Sequence, residues 1–315
     1  YQSDIQLPTK VMVIGLAEFE IEKLKNQFDI DLSIWSYTKD AENGLTDMAC
    51  AADAINYFVK NIGPYPFEKL ANVQSTTQFG GMENAGNIFY DEGSIDGMQT
   101  MEKTVAHEIA HQWFGNSASE ADWKHIWLSE GFATYMTDLY WENKYGTQAM
   151  TERLIGERDR VIKFSKKYNH PVVDTTYESL MTLLNPHSYQ KGAWFLHMLR
   201  NEVTDSVFWT GIRTYYDKYQ FGNATTAQFQ EVMQSVTYVP LDKFFDQWLY
   251  QAGQPRLQIL FNTNDQNDVI SVFQLQNSFV YDFNLEIQLT YSDGTSEIQT
   301  FRISRDRQVF ILDDD

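Results

Sequence analysis

The stretch VAHEIAHQW sets His107 and His111 four residues apart, with Glu108 beside the first. Positions i and i+4 of a helix share one face, about 6 Å apart along the axis. Two imidazoles so spaced reach one ion at about 2.0–2.1 Å, which predicts a zinc site. The plain alternative is an amphipathic helix that happens to carry two of the chain's six histidines. A catalytic zinc keeps three protein ligands and one open position. Glu130, in WLSEGFATY, follows His111 after eighteen residues, a helix–loop–helix return long enough to bring its carboxylate back to the metal. Its neighbours Trp127, Leu128 and Phe132 mark a buried face, where a carboxylate without a cation is costly. The predicted ligands of one Zn2+ are therefore His107, His111 and Glu130. Glu108, lying between the histidines, is the predicted base that takes a proton from water and passes it to a leaving amine. A salt-bridging surface Glu would not need that place.

A second stretch, FGGMENAGN at residues 79–87, is rich in glycine but centred on an acid, Glu83. A phosphate-cradling loop wants amides at a helix start with Lys or Arg nearby, and this one has no Lys and no Walker spacing. A carboxylate suits a cation instead. The remaining reading is a surface turn with a stray Glu.

These residues must be positioned by elements whose periods are legible. VMVIGLAEFE and DIDLSIWSYT alternate and read as strands, the end of a β module. LTDMACAADAINYFVKNIG aligns Met48, Ala51, Ala52, Ile55, Phe58 and Val59 on one helical face, ended by Gly63-Pro64. KLANVQST is a short strand leading into the glycine loop. Two clear helices follow, TMEKTVAHEIAHQWFG and IWLSEGFATYMTDLYWENKYG, closed by Gly115 and Gly146. Further helices are predicted near 147–168, 188–202, 204–219, 225–236 and 241–252. After AGQPR the period becomes two, with Asp293-Gly294 as a hairpin signal, so 255–315 reads as a small all-β domain.

The bulk properties bound the partners. The 315 residues are 43% hydrophobic and 15% aromatic, which is globular composition with room for a sizeable core and a second module. A formal net charge of −19 argues against nucleic acid and against anionic lipid. Cys50 is the single cysteine, so no intrachain disulfide forms, and the compartment stays undecided. No run approaches the ~18 apolar residues of a membrane span. The first residue is a Tyr, so the chain reads as a piece of a longer protein and the lack of a signal peptide carries no information.

Five stretches in order, GPYPFEKL, GGMEN, HEIAHQWFGN, WLSEGFATY and YQKGAWFLHML, resemble the aminopeptidase N-type zinc metallopeptidases, the gluzincin aminopeptidases, whose relatives include leukotriene A hydrolase. The matching stretches span roughly residues 60 to 200. The resemblance implies an α+β chain: the C-terminal remnant of an N-terminal β domain over 1–42, a mostly helical thermolysin-like catalytic domain over 43–253, and a β-sandwich over 254–315. It implies that Tyr189 stabilises the oxyanion; spacing alone would not separate Tyr189 from Tyr177. It implies that Glu83 holds the free α-amine of a peptide, that Gly80 and Gly81 let the substrate backbone approach, and that Met82 walls the first side-chain pocket. Two anchors, zinc on the scissile carbonyl and Glu83 on the ammonium, admit only the first peptide bond. In the family the N-terminal domain supplies a second amine-binding residue, a Gln or Glu, and nothing here is assigned to it. Many relatives also carry a helical C-terminal domain.

The expectation is a zinc aminopeptidase acting on peptides with a free N-terminal amine. A thermolysin-like endopeptidase would share the zinc core but have no use for Glu83. A zinc-stabilised binding module would have no use for Glu108. An epoxide hydrolase activity follows only by family analogy. His125, His170 and His197 read as loop or packing residues, while His187 is a candidate for the cleft wall.

Overall fold

A computed structural model describes residues 7–263, 268–277 and 279–312. It is 44% helical and 23% strand, an α+β chain. Two compact units divide it, Tyr1–Asp242 and Lys243–Asp315.

The first unit is built on a five-stranded sheet of β1 (Phe19–Leu24), β2 (Asp31–Tyr37), β3 (Lys69–Ser75), β4 (Gly81–Met82) and β5 (Asn87–Asp91), in the order β1-β2-β3-β5-β4. The β2–β3 and β3–β5 pairs are parallel, and the two outer pairs antiparallel. Central β3 is buried from Leu70 to Ser75, as a strand flanked on both sides must be. The parallel step from β2 to β3 is a crossover through α1 (Ala41–Met48) and α2 (Ala51–Asn61). One helix was expected there; the chain breaks it at Ala49-Cys50, and Ala52 and Val59 are only half-buried while Ala54 joins the core. Of VMVIGLAEFE only Phe19 and Glu20 lie in a strand; Thr9–Val11 is a 3-10 turn. β2 pairs with β3 across residue 42, so the early strands run on into the sheet that carries the glycine loop.

The helical part begins with α3 (Glu102–Ala110) and α4 (Trp127–Tyr145). Between them β6 (Ala118–Glu120) pairs in parallel with β7 (Gly222–Ala224). α4 is buried on every side from Trp127 to Tyr140, which makes it the central helix of the unit. Around it stand α5 (Thr147–Ser165), the single turn α6 (Leu180–Leu183), α7 (Gly192–Val203), α8 (Asp205–Tyr219) and α9 (Thr226–Ser235). A π-helical turn, His187–Lys191, leads directly into α7. Aromatic rings fill the middle: Phe132 lies 4.7 Å from Phe114 and 5.1 Å from Phe229, which lies 5.0 Å from Tyr215. Such edge and tilted pairs add to the stabilisation from burial itself.

The second unit holds β8 (Leu257–Thr263), β9 (Asp268–Gln274), β10 (Phe283–Thr290), β11 (Ser296–Ile303) and β12 (Arg307–Leu312). β10 and β11 form a hairpin whose turn contains Asp293-Gly294, and β12-β9-β8 form a three-stranded sheet. Ile270, Val272, Phe301 and Ile303 make its small core.

Candidate metal centre and cleft

His107 stands on the last turn of α3, His111 caps its C-terminal end, and Glu130 lies on the first turn of α4. Two acidic anchors, buried Asp47 and half-buried Glu102, set the approach of these helices. Asp47 accepts from the backbone N–H of Asp96 at 2.9 Å, Gly97 at 2.7 Å and Gln99 at 2.8 Å, shaping the loop that enters α3. Glu102 opens α3 and accepts from Tyr140 at 2.6 Å, Lys144 at 2.6 Å and Tyr145 at 2.5 Å, all on α4. Neither anchor was legible in the sequence, because an acid in a helical run gives no sign of a partner 40 or 50 residues away.

The result is a tight triangle. His107 Nε2 and His111 Nε2 are 3.1 Å apart, and Glu130 Oε2 lies 3.4 Å and 3.2 Å from them. Among the described residues these three form the group of potential ligands close enough for one ion. Ligands at about 2.0–2.1 Å in a tetrahedron sit about 3.3–3.4 Å apart, so the donor set fits zinc. His111 Nδ1 lies 3.0 Å from the Phe114 carbonyl and 3.2 Å from Ser129 Oγ. A carbonyl only accepts, so Nδ1 carries the hydrogen and Nε2 is left with its lone pair toward the centre.

The charges tell the same story. Burial would lower the His111 pKa, but the Glu130 carboxylate outweighs it and lifts the group to about 10. Burial would raise Glu130, yet His111 and hydrogen bonds from both imidazoles hold it well below the usual carboxylate range. Burial lowers His107. A divalent cation binding here would displace any proton held between these imidazoles and the carboxylate. Burial, reinforced by Glu83 and Glu130 and opposed by His111, lifts Glu108 to about 8.

The triangle opens on a cleft of about 980 Å3. Glu108, Glu83, Gly80, Gly81, Met82 and Tyr189 all line it, so the structure brings the residues singled out in the sequence to one place. Edge strand β4 carries Gly81 and Met82 along one wall. A Cβ on Gly81 would come within 2.5 Å of the Glu108 side chain, whereas Gly80 faces open space. Gly81 thus makes room for the acid beside the metal centre, while exposed Gly80 accepts from the Asp91 N–H at 3.3 Å through its carbonyl. Tyr189 sits on the π-helical turn with its ring 6.0 Å from His107 and nearly parallel to it, at 11°. Burial and the nearby carboxylates raise its pKa far above the ordinary phenol value, so it stays protonated as a donor. Tyr177 does not line the cleft.

Some residues depart from their sequence reading. His187 turns away from the cleft, with Nε2 2.9 Å from Ser165 Oγ and 2% exposure. Lys10, from the early segment, lines the cleft, pairs with Glu120 and lies over the Trp123 ring. At the α5 side Lys103, Trp141, Arg153 and Arg160 add cationic and aromatic lining. Composition gave no signal for these, since each is an ordinary helix or loop residue in its own stretch. His125 bonds Thr226 and His197 bonds Tyr135, in keeping with packing roles. Among the described residues no helix is long and apolar enough to cross a membrane.

Comparison with known proteins adds an independent line. Residues 47–248 match the model of the Peptidase family M1 domain. The chain is 26% identical to the glutamyl aminopeptidase of Bos taurus over 93% of its own length and 33% of that protein. It is 31% identical to the glutamyl aminopeptidase of Homo sapiens over 64% of its length and 22% of that protein. With the probable aminopeptidase 2 of Sulfurisphaera tokodaii it shares 26% identity over 98% of its length and 43% of the relative. The chain therefore spans less than half the length of each of these relatives.

Proposed function

The chain belongs to peptidase family M1, and from that premise we propose that it is a zinc-dependent aminopeptidase acting on peptides with a free N-terminal amine. The observation that carries the reading is the shared cleft: Glu83 just after the edge strand, Glu108 on α3 and the three-ligand centre all open on it. A zinc ion held by His107, His111 and Glu130 supplies Lewis acidity toward water and toward the scissile carbonyl.

The chain's own groups do the rest. Glu108, buried beside His107 and lining the cleft, is placed to accept a proton from the attacking water. It returns that proton to the amine as the peptide bond breaks. Tyr189, kept protonated, donates its O–H to the oxygen on which negative charge develops. Glu83 takes the substrate's terminal ammonium. A charge-assisted hydrogen bond of that kind contributes about 1.5–3 kcal/mol, or roughly tenfold to over a hundredfold in binding. With Glu83 and the metal centre lining the same cleft, only the first peptide bond would reach the chemistry. An endopeptidase would gain nothing from such a clamp.

The domain plan that accompanies this reading is a thermolysin-like catalytic body over 43–253, the end of a β domain before it and a β-sandwich over 254–315. The helix-rich run through residue 250 and the five strands after it support that plan.

The test is metal analysis together with turnover of an aminoacyl anilide and its N-acetylated form. The expected result is one zinc per chain and cleavage of the free-amine substrate alone. Equal cleavage of both would end the aminopeptidase reading and favour an endopeptidase.

A further inference from the structure

The segment Met82–Asn84 is a thin partition. On one side lies the cleft of about 980 Å3, on the other a cavity of about 420 Å3 lined by Phe19, Tyr37, Gln74, Asn84 and Phe89, and Met82 lines both. The strand that carries the segment is two residues long, so ladder bonds alone give it little support. Its place is set from the turn that follows α3. Gln112, fully buried, donates from Nε2 to the Glu83 carbonyl at 3.1 Å and to the Glu108 carbonyl at 3.4 Å. Its Oε1 accepts from the Gly86 N–H at 2.9 Å. Asn116, 1% exposed, donates from Nδ2 to the same Glu83 carbonyl at 2.5 Å. Turning the Gln112 amide over would face an oxygen with two carbonyls and an NH2 with an N–H, so the network admits one orientation.

We propose that Gln112 and Asn116 are positioning residues that fix Glu83 relative to the metal ligands and so set which peptide bond is cut. The residue next to His111 grips both ends of the Glu83–Gly86 turn. The distance from amine clamp to metal centre is thereby built into one rigid piece, α3 with its following turn. Both side chains hold backbone, not the Glu83 carboxylate, so their action on substrate passes through Glu83. The inference rests on the reading of Glu83 as the amine clamp.

The test uses the full 315-residue chain and two anilides, one with a free α-amine and one with that amine replaced by hydrogen. Gln112→Met keeps the volume and removes both donor and acceptor. The expected result is a KM about tenfold higher for the free-amine substrate, with turnover of the des-amino substrate unchanged. In a Glu83→Gln background the same substitution should leave the ratio between the two substrates where it was, because the clamp it positions is gone. A loss shared equally by both substrates, or effects that multiply in the double variant, would overturn the proposal. Equal turnover of the two substrates by the unaltered chain is a different failure, that of the Glu83 reading. Hydrogen exchange in the unaltered chain provides a readout independent of activity and of variant folding. The Gly86 N–H should exchange as slowly as the amides of α3, and exchange at the rate of a free loop would refute the grip.

Discussion

Gly131 of α4 and Gly192 of α7 meet backbone to backbone. A Cβ on either would lie 3.0 Å from the other's Cα, and one on Gly131 would also lie 3.1 Å from the Ser188 carbonyl oxygen. The crossing joins the residue after candidate ligand Glu130 to the residues that flank Tyr189. Neither backbone can yield cheaply, so Gly131→Ala should destabilise by about 1–3 kcal/mol through overpacking. It should also push the π-helical turn away and lower kcat by up to about a hundredfold. Thermal melts and kinetics on the same preparation check both. An alanine accepted with no change in either would mean that the helices are free to slide.

Glu108→Gln keeps size and hydrogen bonding but removes the proposed base. Turnover should fall by about 10²–10⁴-fold while one zinc per chain is retained. Metal content measured beside the rate separates this from loss of the site. Full turnover would show that another group moves the proton.

Tyr189→Phe removes only a hydroxyl. If the hydroxyl donates to the developing oxyanion, kcat should drop by about 10²–10³ with KM nearly unchanged. A rise in KM at constant kcat would instead assign Tyr189 to ground-state binding.

If zinc is bound as proposed, its removal would leave Glu130 between buried His111 and half-buried His107. An ion that binds only the folded chain stabilises it by about 4 kcal/mol at a thousandfold excess over its Kd. Treatment with a chelator should therefore lower Tm by several degrees, and added zinc should restore it. A Tm indifferent to both would show that the triangle holds no ion in solution.

His187 opens the turn that carries Tyr189. Burial, helped by Lys191 and His170 and opposed by Asp174, lowers its pKa to about 4. Between that value and the ordinary 6.5 the unfolded chain binds the proton and the folded chain does not. The associated stability is present above pH 6.5 and is lost as pH falls toward 4, on the order of 3 kcal/mol in all. His187→Gln should flatten the fall of Tm across that window relative to the unaltered chain. An identical slope would assign the acid sensitivity to other groups.

Much of this site can be read along the chain because its spacing is local. The i, i+4 relation of His107 and His111 needs nothing but helix geometry, and Glu108 is carried with them. The hairpin at Asp293-Gly294 was legible for the same reason, since two residues suffice to define the turn. Local signals overreached where a neighbour decides the outcome. VMVIGLAEFE alternates like a strand, yet most of it pairs with nothing in the sheet, and the run from Asn43 to Gly63 looks like one helix but bends at Ala49-Cys50.

The types and order of the candidate metal ligands were thus determined by the sequence itself. Tertiary structure decided their distances and their company. Glu130 comes to within 3.4 Å of both imidazoles because Glu102 and Asp47 hold α3 against α4 and its entry loop. Tyr189 and not Tyr177 lines the cleft because the π-helical turn is pinned at the Gly131–Gly192 crossing. Gln112 reads as one more polar helix residue until the glycine loop folds back onto it. Each of these is a contact between segments far apart in the chain. A loop's length says how far it can reach, but its direction is set by the packed surfaces at both of its ends.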